Sequence, residues 1–458
     1  MLWGRRSFLA GVACLMLAPS ARADGGHLVE MLAQLPEDPV TYRSLPLFTY
    51  ADLRAAEAAA GVTTPASEEA FMALSEAERA AWRENLSRLK VLPETIRTYA
   101  AGLGSHTVTS YNATGPDWFA IDRVMGAFDL PPHRVTIAGG DDDMNDPLGF
   151  DYALPQRGFV RDEIDGVGVW SRFADDAQAS ALVDSASAGD IFDDGLMSSL
   201  RLAVLPDLLI AAKAWPDLRA LLAVEAGRAP HAAAADLLAP MVEALAAVEG
   251  GEGPLVQAMA VSVMDAGFSA DGLALVADAI ASGGMVDPSA LEGAVAATPA
   301  GPPLPLYPLA LFADVAAGEE QLTVIAVPYT DRKTAEAGAA VIASRLETWQ
   351  PGGSGEALLS RIGGRVSTAV VDDGRVAPAL VATFRSVIVA AAAGEAPDAV
   401  AEKAPPVAAP PVPAGGAVAL VAVRYPLDGA ESNAAPGALL AVIQQAIFNR
   451  DFALLATP

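Results

Sequence analysis

Cysteine is nearly missing from this chain of 458 residues: the single one, Cys14, falls in a segment read below as a removable leader. Without thiols, what remains can form no disulfide, thiolate nucleophile, iron–sulfur ligand or cysteine zinc site. Histidine is almost as scarce, with only His27, His106, His133 and His231. Imidazole metal sites are nearly ruled out with it. Aromatic residues make up 6% of the chain against 52% hydrophobic residues, so the cores must be built of Ala, Val and Leu. Basic side chains are outnumbered 29 to 56, for a net charge of −27. Such an excess repels polyanions, so nucleic acid and anionic lipid are poor partners. After the leader no run of 18 apolar residues occurs, hence no transmembrane anchor is expected.

The first 23 residues have an order of their own. Arg5 and Arg6 precede an uncharged apolar run, Phe8 to Ala18, and Ala21-Arg22-Ala23 closes it with the small-x-small pattern of a signal peptidase site. Charge, short greasy core and small-residue exit describe a signal peptide, too short to stay as an anchor. Cleavage after Ala23 removes three arginines (Arg5, Arg6, Arg22) and no acid, taking the charge from −27 to −30. The expected location is the periplasm or the extracellular space. Arg5-Arg6-Ser7-Phe8-Leu9 also resembles the twin-arginine export motif, but Gly4 and Ala10 depart from it, and both export routes stay open.

Along the mature chain, hairpins alternate with helices, which predicts an α+β fold rather than a regular parallel sheet. A helical preface comes first. His27 to Leu35 reads as a helix, Pro46 to Tyr50 as a strand, and Asp52 as the cap of an Ala-rich helix stopped by Gly61. Ser67 to Lys90 is helical, with Ser75 and Glu78 spaced as a capping box that would split it in two. Strands are expected at 135–138 and 256–264, hairpins around Asp165-Gly166 and Pro206-Asp207, and helices over 215–224 and 232–248. Five prolines between Ala297 and Pro308 read as a linker. Beyond it, strands at 309–315, 321–327 and 418–425, helices at 331–349 and 437–448, a hairpin 365–371/376–384 and a closing strand 452–456 are expected.

The predicted organisation is therefore a signal peptide (1–23), an α+β domain with the helical preface (24–297), a Pro-rich linker (298–307) and a second α+β domain (308–458) carrying a Pro/Ala-rich loop (395–416). One internal echo suggests a diverged duplication. Pro46-Leu47-x-x-Tyr50-Ala51-Asp52-Leu53-x-Ala55 matches Pro308-Leu309-x-x-Phe312-Ala313-Asp314-Val315-x-Ala317.

Chemistry-bearing motifs are few. Asp141, Asp143 and Asn145 place oxygen ligands at the alternate spacing of a calcium loop, but Asp146 stands where Gly is wanted and Tyr152 where a bidentate Glu should close the shell. The competing reading is a strand end whose acids cap the next helix. Asp190, Asp193 and Asp194 make a weaker acidic loop. Ser87-x-x-Lys90 has the spacing of penicillin-binding serine hydrolases, without a sound third motif, and reads as a surface helix. No nucleophile elbow, phosphate loop, dinucleotide fingerprint or His-Glu-x-x-His is found, so no catalytic residue is assigned. The expectation is an exported, non-catalytic binding or envelope-interaction protein with an unknown protein or small-molecule partner. The alternatives are a carboxylate-dependent hydrolase and a calcium module on the 141–146 loop.

Overall fold

The computed structural model describes residues 26–36, 48–92, 119–127, 135–140, 144–145, 147–156, 158–171, 201–232, 237–251, 253–262, 304–305, 307–351, 355–380, 415–427, 437–448 and 454–455. The predicted leader, the acidic residues Asp141 and Asp143, the 190–194 loop, His106, His133 and most of the 395–416 excursion lie outside them.

The fold is α+β, built on one antiparallel sheet. In chain order its elements begin with α1 (Gly26–Leu32), β1 (Phe48–Asp52), α2 (Leu53–Ala60), α3 (Glu68–Ala73) and α4 (Glu76–Arg88). There follow β2 (Ile121–Ala127), β3 (Val135–Gly140), α5 (Pro147–Gln156), β4 (Val160–Ile164), β5 (Val167–Ser171), β6 (Arg201–Val204) and β7 (Leu208–Ala212). After α6 (Trp215–Glu225) and α7 (Leu238–Ala244) come β8 (Leu255–Ser262), β9 (Leu309–Ala317) and β10 (Glu320–Tyr329). The chain ends with α8 (Arg332–Thr348), α9 (Leu358–Ile362), β11 (Arg365–Asp372), β12 (Ala417–Pro426) and α10 (Ala438–Phe448). The spatial order of the strands is β11-β12-β10-β9-β8-β1-β2-β3-β7-β6-β5-β4.

Local chemistry accounts for many of these boundaries. Asp52 Oδ1 accepts from Ala55 N at 2.7 Å and starts α2, and Gly61 in the left-handed region ends it. The Ser75/Glu78 capping box is formed in both directions, so the 67–90 stretch is the two helices α3 and α4. At the β4–β5 turn both Asp165 and Gly166 have positive φ (56° and 85°), the backbone a two-residue type I′ hairpin needs.

Three expectations fail. Residues 376–380 are helical, and β11 pairs with β12 rather than with a strand at 376–384. The Asp372-Asp373-Gly374 turn resembles a hairpin signal, but Asp373 instead accepts from the Arg375 backbone, which bends the chain into a helical turn. Leu454 and Leu455 form a buried turn and not a closing strand. Of the helix expected over 232–248, where 233–236 lie outside the described residues, Leu238–Ala244 is α-helical, Leu245–Ala247 tightens into a 3-10 turn and Val248 is extended.

Both faces of the sheet are covered. On one, α1, α6 and α7 pack through Leu28, Met31, Trp215, Leu218, Leu222, Leu238 and Met241 onto a single apolar cluster that runs from Val169 to Leu420. The other face carries two clusters, one under α2 to α5 and one under α8 to α10. The sheet is continuous across the Pro-rich segment because β8 pairs with β1 on one side and with β9 on the other. Leu304 and Tyr307 of that segment are buried, and Tyr307 donates to the Leu455 carbonyl at 2.8 Å. The strand of the helical preface, β1, lies in the interior of the sheet.

Candidate functional site

On β8, Gln257 carries a polar side chain into the covered interior. Gln257 is 1% exposed, and its Oε1 accepts from Lys90 N at 2.8 Å, just past the end of α4. A backbone N–H can only donate, so Gln257 Nε2 must face the other way, where it donates to Asp314 Oδ2 at 2.7 Å. Thr323 Oγ1 donates to the other carboxylate oxygen at 2.6 Å. Asp314 is fully buried, and burial pushes its carboxyl up to about 6 against the two hydrogen bonds that pull it down. This row of side chains joins β8, β9 and β10 on one face and ties them to the end of α4.

Above that row lies a cavity of about 420 Å³. Its walls come from α2, whose Ala56, Ala59 and Ala60 are too small to fill it, from the last turn of α4, and from the β9–β10 turn. That turn has two residues, Gly318 and Glu319, with Gly318 at φ 71° in the first position, as a type II′ hairpin requires. Polar groups reach the cavity from opposite walls: Asn85 and Arg88 from α4, and Glu319, Glu320 and Gln321 from the hairpin. Glu320 is held by Arg365 at 2.6 Å and Arg424 at 3.4 Å. Asn85 is 3% exposed, and its Nδ2 has no acceptor among the described residues. A buried amide donor left unmatched costs about 1–3 kcal/mol.

A second polar group sits at the end of β1. Asp52 Oδ2 is 2.9 Å from His27 Nδ1 and accepts from the Tyr50 hydroxyl at 3.2 Å. The Asp52 hydrogen bond raises the His27 pKa, with partial burial working against it. Beside them Asp122 is raised by burial and partly offset by Arg123, whose guanidinium lies 3.0 Å from it.

Of the residues singled out from sequence, Asn145 is buried, and its Nδ2 donates to the Leu205 carbonyl at 2.7 Å in the β6–β7 turn. Its Oδ1 accepts no hydrogen bond among the described residues. No group of three or more His, Cys, Asp or Glu placed to hold a metal occurs among those residues. Ser87 and Lys90 are not paired as a nucleophile and its base. The Ser87 hydroxyl donates to Glu84 O, and Lys90 Nζ donates to the Ser87 carbonyl. Phe119 and Trp170 are core residues. Sequence reasoning missed Asn85, Gln257 and Asp314 as neighbours. Only Asp314 carried a signal, as an acid inside an otherwise apolar strand and part of the internal echo.

No family model matches this chain, and no curated protein matches it. Among solved structures, crystal form I of TP0453 is similar at a TM-score of 0.26 and 11% identity, covering 63% of this chain and 78% of that one. A likeness that low carries no argument about fold or function.

Proposed function

We propose that the chain is an exported, non-catalytic binding protein of the periplasm or cell exterior, which takes a small polar molecule in the cavity between α2, α4 and the β9–β10 turn. The observation that carries this is Asn85: a buried donor with no partner, lining a cavity whose size falls in the range of small-molecule sites. The ligand would present a hydrogen-bond acceptor to Asn85 and Arg88. Native mass spectrometry of the chain purified from an envelope fraction should show a bound small molecule, and Asn85→Leu should lose it while remaining folded. A wild-type protein that always flies at its bare mass would sink the reading. N-terminal sequencing of the same material should begin at Asp24.

The hydrolase alternative needs a carboxylate pair free to act, whereas Glu320 of this cavity is neutralised by two arginines. The calcium reading keeps one supporting observation, the unmatched Asn145 Oδ1. Calorimetric titration with calcium, beside an Asp141→Ala/Asp143→Ala variant, decides it, and absence of heat from both proteins removes it.

The same proposal retains two related α+β units, 24–297 and 308–458. β1 and β9 both run antiparallel to β8, hence parallel to each other. Their echo residues Tyr50 and Phe312 lie in clusters on opposite faces. A two-fold rotation about an axis along β8 relates strands in that manner. If that rotation fails to superpose β2 on β10, the duplication is refuted.

A further inference from the structure

The two outer strands of the sheet are protected very differently. At one end β4 has five residues, and Arg161, Asp162 and Glu163 fill its middle. Charges there oppose pairing with another strand, since a neighbour would have to desolvate them. At the other end β11 has eight residues, and the six between Arg365 and Asp372 (Val-Ser-Thr-Ala-Val-Val) carry no charge and no proline. Among the described residues no strand pairs with its outer side. Arg365, Ser367, Thr368 and Asp372 are exposed.

We infer that β11 is a self-association edge, on which a second copy of this chain adds its own β11 antiparallel. Two identical strands side by side are related by a two-fold normal to the sheet, which keeps each residue on its own face, so one residue must meet its own copy. With Ala369 at the axis, Thr368 faces Val370 of the other copy and Ser367 faces Val371. Arg365 then faces Asp373, the first residue past the strand, so opposite charges meet at both ends, each beside the partner it already holds within its own chain (Glu320 for Arg365, Arg375 for Asp373). Shifting the axis to Thr368 puts Arg365 against Val371 and loses that match. The occupant is therefore a second copy, chosen by an uncharged middle and complementary ends. Neither edge strand lines the cavity proposed as the binding site, although Arg365 of β11 holds its Glu320, and the two readings are tested separately.

Sedimentation equilibrium of the full mature chain tests it. A dimer is expected, and Thr368→Lys, at an exposed position that leaves the monomer intact, should weaken it about tenfold by bringing charge into the ladder. Because the mature chain lacks cysteine, Ala369→Cys supplies a single thiol at the axis. A short bis-maleimide should link it to its own copy far more efficiently than it links Ser367→Cys. A chain that stays monomeric into the high micromolar range overturns the inference, as does a dimer indifferent to Thr368→Lys or equal cross-linking of the two cysteine variants. Strong exchange protection, in a monomer, of the β11 amides that point away from β12 also overturns it, since another segment of the same chain then holds the edge.

Discussion

Asp52 and Asp314 occupy matching positions in the two echo segments, yet the fold uses them in different ways. Asp52 ends its strand: it caps α2, meets a half-exposed histidine and accepts from a tyrosine. Asp314 lies inside its strand on the opposite face, fully buried, and its partners are a neutral amide and a neutral hydroxyl. The carboxylate is the same. Whether solvent and a partner able to carry positive charge can reach it decides if it works as a local cap or as a tie between strands. A buried acid held only by neutral donors is the less comfortable of the two, and its raised pKa records that.

The comparison can be broken first by truncation. Asp314→Ala leaves the Gln257 amide and the Thr323 hydroxyl buried without their acceptor and should cost about 3–5 kcal/mol in urea unfolding. Asp52→Ala, with solvent nearer, should cost about 1–2 kcal/mol, mostly the lost cap. Equal losses would mean that the two sites are energetically alike.

A pH series comes next in size. The folded pKa of Asp314, about 6, lies above the ordinary carboxylate value of 3.8, so between those values the native state binds the proton more tightly than the unfolded chain does. The contribution of this group is fully present below 3.8 and is lost as pH rises to 6, a change of about 3 kcal/mol. Asp314→Asn should flatten the stability curve over that window, and an unchanged slope would remove Asp314 as its source. Asp52→Asn keeps an oxygen for the Ala55 amide and should cost only about 1 kcal/mol.

The smallest effect belongs to His27. Its pKa is raised above 6.5, so its stabilisation is complete below 6.5 and fades as pH climbs through the folded value. With that side chain 47% exposed, solvent screens the pair, and His27→Gln should change stability by a few tenths of a kcal/mol. An NMR titration of His27 in wild type and Asp52→Asn measures it directly. The Asp52→Asn resonance should titrate at lower pH.

Much of the fold was legible in local chemistry. The Asp52 cap, the Ser75/Glu78 box and the Asp165-Gly166 turn act within a few residues, and each sits where its spacing placed it. β2 went unseen because Ile121–Ala127 interrupts its apolar residues with Asp122, Arg123 and Gly126, which tertiary pairing overrides. The hairpin after β11 was misassigned because Asp-Gly suits several turns, and the partner of β11, β12, is remote in sequence. Nor does the proline density of the 298–307 segment reveal that the strands on either side of it, β8 and β9, pair with each other. The cavity was invisible for a related reason. Asn85, Gln257 and Gln321 become neighbours only through strand pairing, and none sits in a local motif.

β8 lies between β1 and β9, far downstream of the first and well ahead of the second. As the chain emerges N-terminus first, β1 can find β2 early, but its other side must wait for β8 to arrive. Until then the nascent first half presents an open apolar ribbon, which delays folding and invites wrong pairing. On the proposal that the chain is exported, passage across a membrane as an unfolded thread would lengthen that vulnerable interval, whereas folding before transport would shelter it, and the route would bear directly on how safely this sheet closes.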